Sequence, residues 1–159
     1  MRRAQNIVGL GLVIVVLCGV FGLWLWGKPR STVAVPPASS APSHVVQTFA
    51  QALNDRDFSA AKDLVIGDRV GVDSKWWDLH GPRVEDLQIL KTGAVTTGAQ
   101  CGSEAAVAWK KCVQVRTEAT FKHVKGVTNA NKPDHERWTY YLVRNTGSER
   151  WRILDWGKG

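Results

Sequence analysis

A chain of 159 residues, 44% hydrophobic and with a formal net charge of +7, has room for one domain with its own core once an apolar run near its start is set aside. The charge is uneven. Arg2, Arg3, Lys28 and Arg30 precede the first acid, Asp55, which leaves 17 of the 21 Lys and Arg against 14 Asp and Glu. Bases and acids then alternate along the chain, which excludes the basic stripe of a nucleic-acid binder, so no nucleic-acid partner is expected.

The first element is the run Ile7–Trp26, IVGLGLVIVVLCGVFGLWLW, which carries no charge. At 1.5 Å per residue such a run spans about 30 Å, the thickness of a hydrocarbon core, and predicts a transmembrane anchor. Trp24 and Trp26 stand where indoles suit the headgroup level. A cleaved signal peptide is the alternative, but its apolar region is shorter and ends in small residues. A lipoprotein would use Cys18, yet Leu17 before it is large. Residues 1–6 are then a cytoplasmic head, 7–26 the anchor, 27–43 a linker and 44–159 an extracytoplasmic domain. The expected location is the cell membrane, crossed once, with the membrane itself and an envelope protein as partners.

Lys28–Ser43 holds Pro29, Pro36, Pro37 and Pro42, four of the chain's six prolines, among Ser and Ala. That composition predicts an extended spacer. Ser43 is a candidate helix cap. Behind it Val45, Val46, Phe49, Ala50 and Leu53 recur at spacings of three and four, the mark of one buried helix face. Asn54-Asp55-Arg56 breaks this helix, Asp57 is placed to cap a second with Phe58, Ala61, Leu64 and Val65 inward, and Ile66-Gly67-Asp68 ends it.

The period then changes. Val84–Thr97 leans towards strand. In Cys112–Val124, Val113, Val115, Thr117, Ala119 and Phe121 alternate with Gln114, Arg116, Glu118, Thr120 and Lys122, which predicts a half-exposed antiparallel strand. Arg137–Asn145 is a second strand, Thr146-Gly147-Ser148-Glu149 a turn and Arg150–Trp156 a third strand. Helices followed by hairpin-linked strands predict an α+β domain: after the transmembrane helix, a helical hairpin packed on a curved antiparallel sheet.

Two patterns, Phe then Ala-Leu-Asn then Asp-Phe-x-x-Ala at the helical corner and Trp-Arg-Ile-x-Asp on the last strand, resemble the nuclear-transport-factor-2-like superfamily and its cystatin-like α+β roll, in particular its bacterial membrane-anchored extracytoplasmic members of unknown function. The likeness covers about 115 residues, nearly all of the chain beyond the linker. It implies a bent sheet around helices with a conical pocket. Some members are isomerases or dehydratases with an Asp in that pocket, and others bind partners or dimerise through the sheet, so a homodimer is among the expected states.

Several residues are candidates for function. Cys101 and Cys112 either close a twelve-residue loop as a disulfide or stay two buried thiols. Trp76, Trp77 and Trp138 are candidates to line a pocket, with Asp78, His80, His123 and the strand-borne Asp155 as weak candidates for acid–base work. The ordinary reading is that a Trp plugs the roll, that Asp78 and His80 are loop residues, and that a lone His on an apolar face is a satisfied core residue. Asp155 alternates with Ile153 and Trp151, which turns it inward if those two are core. Arg144, Arg150 and Arg152, with whichever of Tyr140 and Tyr141 faces out, are the expected partner-binding residues. No metal site is expected and no cofactor, because the sequence has no phosphate loop, nucleophile elbow or paired metal-binding histidines. The leading functional reading is a membrane-tethered binding or assembly module without catalysis of its own. The alternative is a small pocket enzyme or ligand-binder of the ketosteroid-isomerase kind.

Overall fold

The computed structural model of the protein describes residues 15–22, 28–67, 83–122 and 134–158. Within the apolar run, residues 15–22 are helical, which at 1.5 Å per residue is about 12 Å. Among the described residues no helix is long and apolar enough to cross a membrane. The expected span over Ile7–Trp26 is therefore corrected, and with it the signal anchor, the single-pass membrane location and the extracytoplasmic placement that depended on it. The described helical stretch covers less than half of a ~30 Å hydrocarbon core; the rest of the run lies outside the described residues. The run was apolar enough for a span, but apolarity shows only that a span is affordable, not that a helix of that length forms.

The domain is α+β. Helix α1, Pro42–Asn54, has Ala41 at its N-cap and starts two residues earlier than a cap at Ser43 predicts, because Pro42 fits the first turn, where its missing N–H costs nothing. Val45, Val46, Phe49 and Ala50 are buried along one face, as their spacing predicts, while Leu53, expected with them, is half-buried and Ala52 is buried beside it. The chain turns at Arg56, which sits at φ 58, and enters α2, Phe58–Asp63. Asp57 caps α2, its carboxylate accepting the Ala60 N–H at 3.1 Å.

Four strands follow: β1 Arg83–Thr92, β2 Lys111–Lys122, β3 Asp134–Arg144 and β4 Arg152–Lys158. They form one antiparallel sheet in the order β1-β2-β3-β4. On β2 the predicted inward set is buried throughout: Val113, Val115, Thr117, Ala119 and Phe121 are each no more than 8% exposed. Val113 and Val115, with Leu142, Tyr140 and Ile153, meet α1 and Leu64 in the main core, while Ala119 and Phe121 pack with Ala50 and Val84 in a second cluster. Buried polar groups there are satisfied: the Thr117 hydroxyl donates to the Trp138 carbonyl at 3.2 Å and the Thr48 hydroxyl to the His44 carbonyl at 2.9 Å. Leaving them unmet would cost about 1–3 kcal/mol each.

Both outer strands are partly closed at their edges. Residues Leu64–Ile66 run beside β4, with Ile66 N–H donating to the Ile153 carbonyl and Ile153 N–H to the Leu64 carbonyl, each at 2.8 Å. At Val84 the Asn54 side chain bonds both the backbone N–H, at 2.8 Å, and the carbonyl, at 2.7 Å, as a neighbouring strand would.

The proline-rich segment is not held away from the domain. Val33 and Pro36 are buried. Val33 N–H donates to the second oxygen of Asp57 at 2.9 Å, Arg30 N–H to the Asp55 carbonyl at 2.7 Å, and the Arg150 guanidinium to the Pro36 carbonyl at 2.6 Å. Its extended backbone, which composition does predict, is strapped across the helical corner and the base of the β3–β4 hairpin.

Candidate functional site

The two faces of the sheet differ in what they can do. On the inner face the space where a conical pocket would open is filled by aromatics. Phe49 of α1 lies edge-on to Tyr140, with centroids 6.5 Å apart, and 5.7 Å from Trp156. Trp138 is half-buried on this same face, 5.4 Å from Phe121, with its indole N–H on Glu136 at 2.7 Å. Burial pushes the Tyr140 hydroxyl up to about 12, so it stays protonated through the neutral range. Asp57 is buried, and both its oxygens are occupied by the cap and the strap.

Asp155 does not join that interior. The register of β3 with β4 shifts between Tyr141 and Leu142, which inserts Leu154 as an extra residue. Ile153 and Trp151 are core, as expected, but beyond the bulge the parity reverses. Asp155 pairs with Tyr141 on the outward face, and its carboxylate accepts the Trp156 N–H at 3.0 Å. Trp76, Trp77, Asp78, His80 and His123 lie outside the described residues.

The arginine and tyrosine set is not gathered into one patch. Tyr140 is in the core. Tyr141 is on the opposite face, packed against Cys101, Ala106, Cys112 and Val143. Arg144 stacks on the Trp151 ring at 4.2 Å, and Arg150 holds the strap. Arg152 is exposed and lines an open cleft of about 500 Å³ with Ala38, Asp63, Ser148, Glu149 and Arg150. In that hairpin the Asn145 N–H holds the Glu149 carboxyl below its usual range. Mixed charges line the cleft, so it offers no single-sign site.

Cys101 and Cys112 stand at disulfide distance, with Cα atoms 5.9 Å apart. The loop between them is not a tight turn. Two short 3₁₀ turns, Gly98–Gln100 just before Cys101 and Glu104–Ala106 within the loop, fold the chain back so that Cys101 lies over the start of β2. A Cβ at Gly98 would sit 1.8 Å from the Ala106 carbonyl oxygen, and Gly102 has φ +82, so both positions need glycine. The Gln114 amide adds a bond to the Cys101 carbonyl at 2.6 Å. This loop covers one end of the outward face.

Among the described residues the rest of that face is charged and open. Glu85 pairs with Lys122 and Arg83, and Glu118 with Arg137 at 3.2 Å and His135 at 3.0 Å. Lys91 stands directly opposite Arg116. No three His, Cys, Asp or Glu side chains are grouped to hold a metal among the described residues. The opposition of Lys91 to Arg116, the double use of Asp57 and the edge cap by Asn54 were not foreseen. The first depends on strand register, the others on partners about 24 and 30 residues away.

No family model matches the chain, and no curated protein matches it. Among solved structures it is similar to a SEC-C motif containing protein from Rhodopseudomonas palustris, with 12% identity over 78% of this chain and 82% of that one and a TM-score of 0.53. It is also similar to a SEC-C motif containing protein from Psychrobacter arcticus, with 15% identity over 74% of this chain and 60% of that one and a TM-score of 0.45. The fold neighbour with a TM-score above 0.5 is the SEC-C motif containing protein from Rhodopseudomonas palustris. Its fold is different from that of the nuclear-transport-factor-2-like superfamily, so the resemblance to that superfamily and the cystatin-like roll it implied are corrected. The patterns that suggested them are a capped helical corner and a core-facing last strand. Any pair of helices on an antiparallel sheet can use both. At these identities the likeness concerns fold alone.

Proposed function

We propose that the domain works by contact, as a protein-binding module that uses the outward face of β1, β2 and β3. One observation carries this reading: the sheet is two-sided, with its helix side filled by Phe49, Tyr140 and Trp156 and its outward side, among the described residues, left as a charged, open surface beyond the Cys101–Cys112 loop. The arginines first expected to anchor a partner are engaged within the chain, Arg144 on Trp151 and Arg150 on the strap, which moves the contact surface to the strands. An aromatic-filled interior supports contact over turnover, since a pocket enzyme needs space beside its acid.

The test places a photo-crosslinking residue in the full chain at Gln88 or Thr139 on the outward face, and at Gln51 on α1 as a control. A discrete light-dependent adduct in cells from the sheet positions, competed by unlabelled domain and absent from Gln51, is the expected result. No adduct from either sheet position, together with loss of the cellular phenotype in Asp155→Asn, contradicts it.

A further inference from the structure

Lys91 and Arg116 face each other across neighbouring antiparallel strands, and both are exposed. Like charges placed directly opposite repel. Simple alternation does not produce this pairing. The β1–β2 register shifts twice, between Glu85 and Gln88 and again between Ile89 and Lys91. Had the ladder continued from Gln88↔Glu118 and Ile89↔Thr117, Leu90 would face Arg116; the second bulge puts Lys91 there instead.

The neighbouring acids do not compensate this pair. Glu85 is engaged with Lys122 and Arg83, and Glu118, two residues along the same face from Arg116, is engaged with Arg137 and His135. Among the described residues neither Lys91 nor Arg116 makes an ion pair. Together with Gln114, Gly93 and Ala94 they line a cleft of about 150 Å³. That is below the roughly 300–1,000 Å³ of small-molecule pockets and suits the end of one side chain. Leu90 and Val95, 46% and 53% exposed, bracket it along the chain.

The geometry points to a receptor for a carboxylate side chain of a protein partner, held between Lys91 and Arg116, with apolar neighbours of that acid resting on Leu90 and Val95. Arg supplies a planar fork that matches a carboxylate and Lys a point charge beside it. An incoming acid turns the repulsion into attraction. The assignment rests on the contact reading of the outward face and adds the chemistry of the ligand to it.

The test uses the full chain and three probes: a fluorescent hexapeptide alternating leucine and glutamate, its leucine–glutamine twin, and inorganic phosphate. The glutamate peptide should bind, weaken as salt rises, and lose on the order of tenfold in affinity in the Lys91→Gln/Arg116→Gln double variant. Lys122→Gln, which removes a cation elsewhere on the same face, should leave binding unchanged. Arg116→Glu should raise the melting temperature, because it places an acid opposite Lys91, and should abolish peptide binding. Equal binding of the glutamine twin, equal loss in Lys122→Gln, unchanged affinity in the double variant, a lower melting temperature in Arg116→Glu, or phosphate binding as tightly as the peptide would each overturn the carboxylate receptor. Peptide binding that holds while no cellular adduct forms rejects the contact reading and not the receptor; adducts without peptide binding reject the receptor alone.

Discussion

On the side of β2 facing the helices, five residues in alternation, Val113 to Phe121, are buried. On its other side Cys112 is buried, while Gln114, Glu118 and Thr120 are half-exposed and Arg116 and Lys122 are exposed. One strand therefore supplies both environments, and what differs is the cover. The inner face is closed by α1 and Leu64 through continuous apolar packing. Among the described residues the outward face is closed at one end only, by a short loop held through Cys101–Cys112, the Gln114 amide, backbone bonds of Thr96 to Cys112 and of Gly98 to Trp109, and a small apolar cluster with Ala106 and Val143. A cover made of packed side chains can be lost only with the core. A cover made of one covalent link and a few contacts can be lost alone.

Leu142→Ala is the largest break of the inner cover. Leu142 is fully buried at the centre of the core, and its truncation should destabilise the domain by about 2–5 kcal/mol, read as a fall in the denaturant midpoint. A loss under about 1 kcal/mol would mean that the inner face is not the packed side, since buried leucines cost more than that to truncate.

Removing the staple should cost less and act locally. Replacing Cys101 and Cys112 together with Ser should destabilise by ~2–3 kcal/mol on the chain-entropy estimate for a twelve-residue loop. Amide exchange should then speed up between Thr96 and Lys110 while Val45 to Ala52 keep their protection. Equal acceleration in the helix would make the two covers one cooperative unit.

The elements that were legible in the sequence owe this to local periodicity. The spacing of Val45, Val46 and Phe49 marked α1, the alternation of β2 marked its inward set, and Asp57 was recognisable as a cap. Register was not legible. The extra residues at Leu90 and Leu154 each reverse which side chains share a face, and no local pattern announces a bulge. Asp155 turned outward and Lys91 came to face Arg116 for that reason alone. The docking of the strap is hidden from the sequence for a related reason. Proline and serine predict an extended backbone correctly, but whether it hangs free depends on Asp57 and Arg150, which are distant in the chain. The apolar run at the start shows the reverse error, a composition signal carried further than the described helix supports.

The claim that the outward face of the sheet is the contact surface, and the helix side is not, is tested most directly by comparing amine reactivity at Lys91 and at Lys62 on α2, both exposed, in purified protein and in intact cells. The account predicts that Lys91 loses reactivity in cells while Lys62 keeps it. Unchanged reactivity at Lys91, or protection at Lys62 instead, would contradict it.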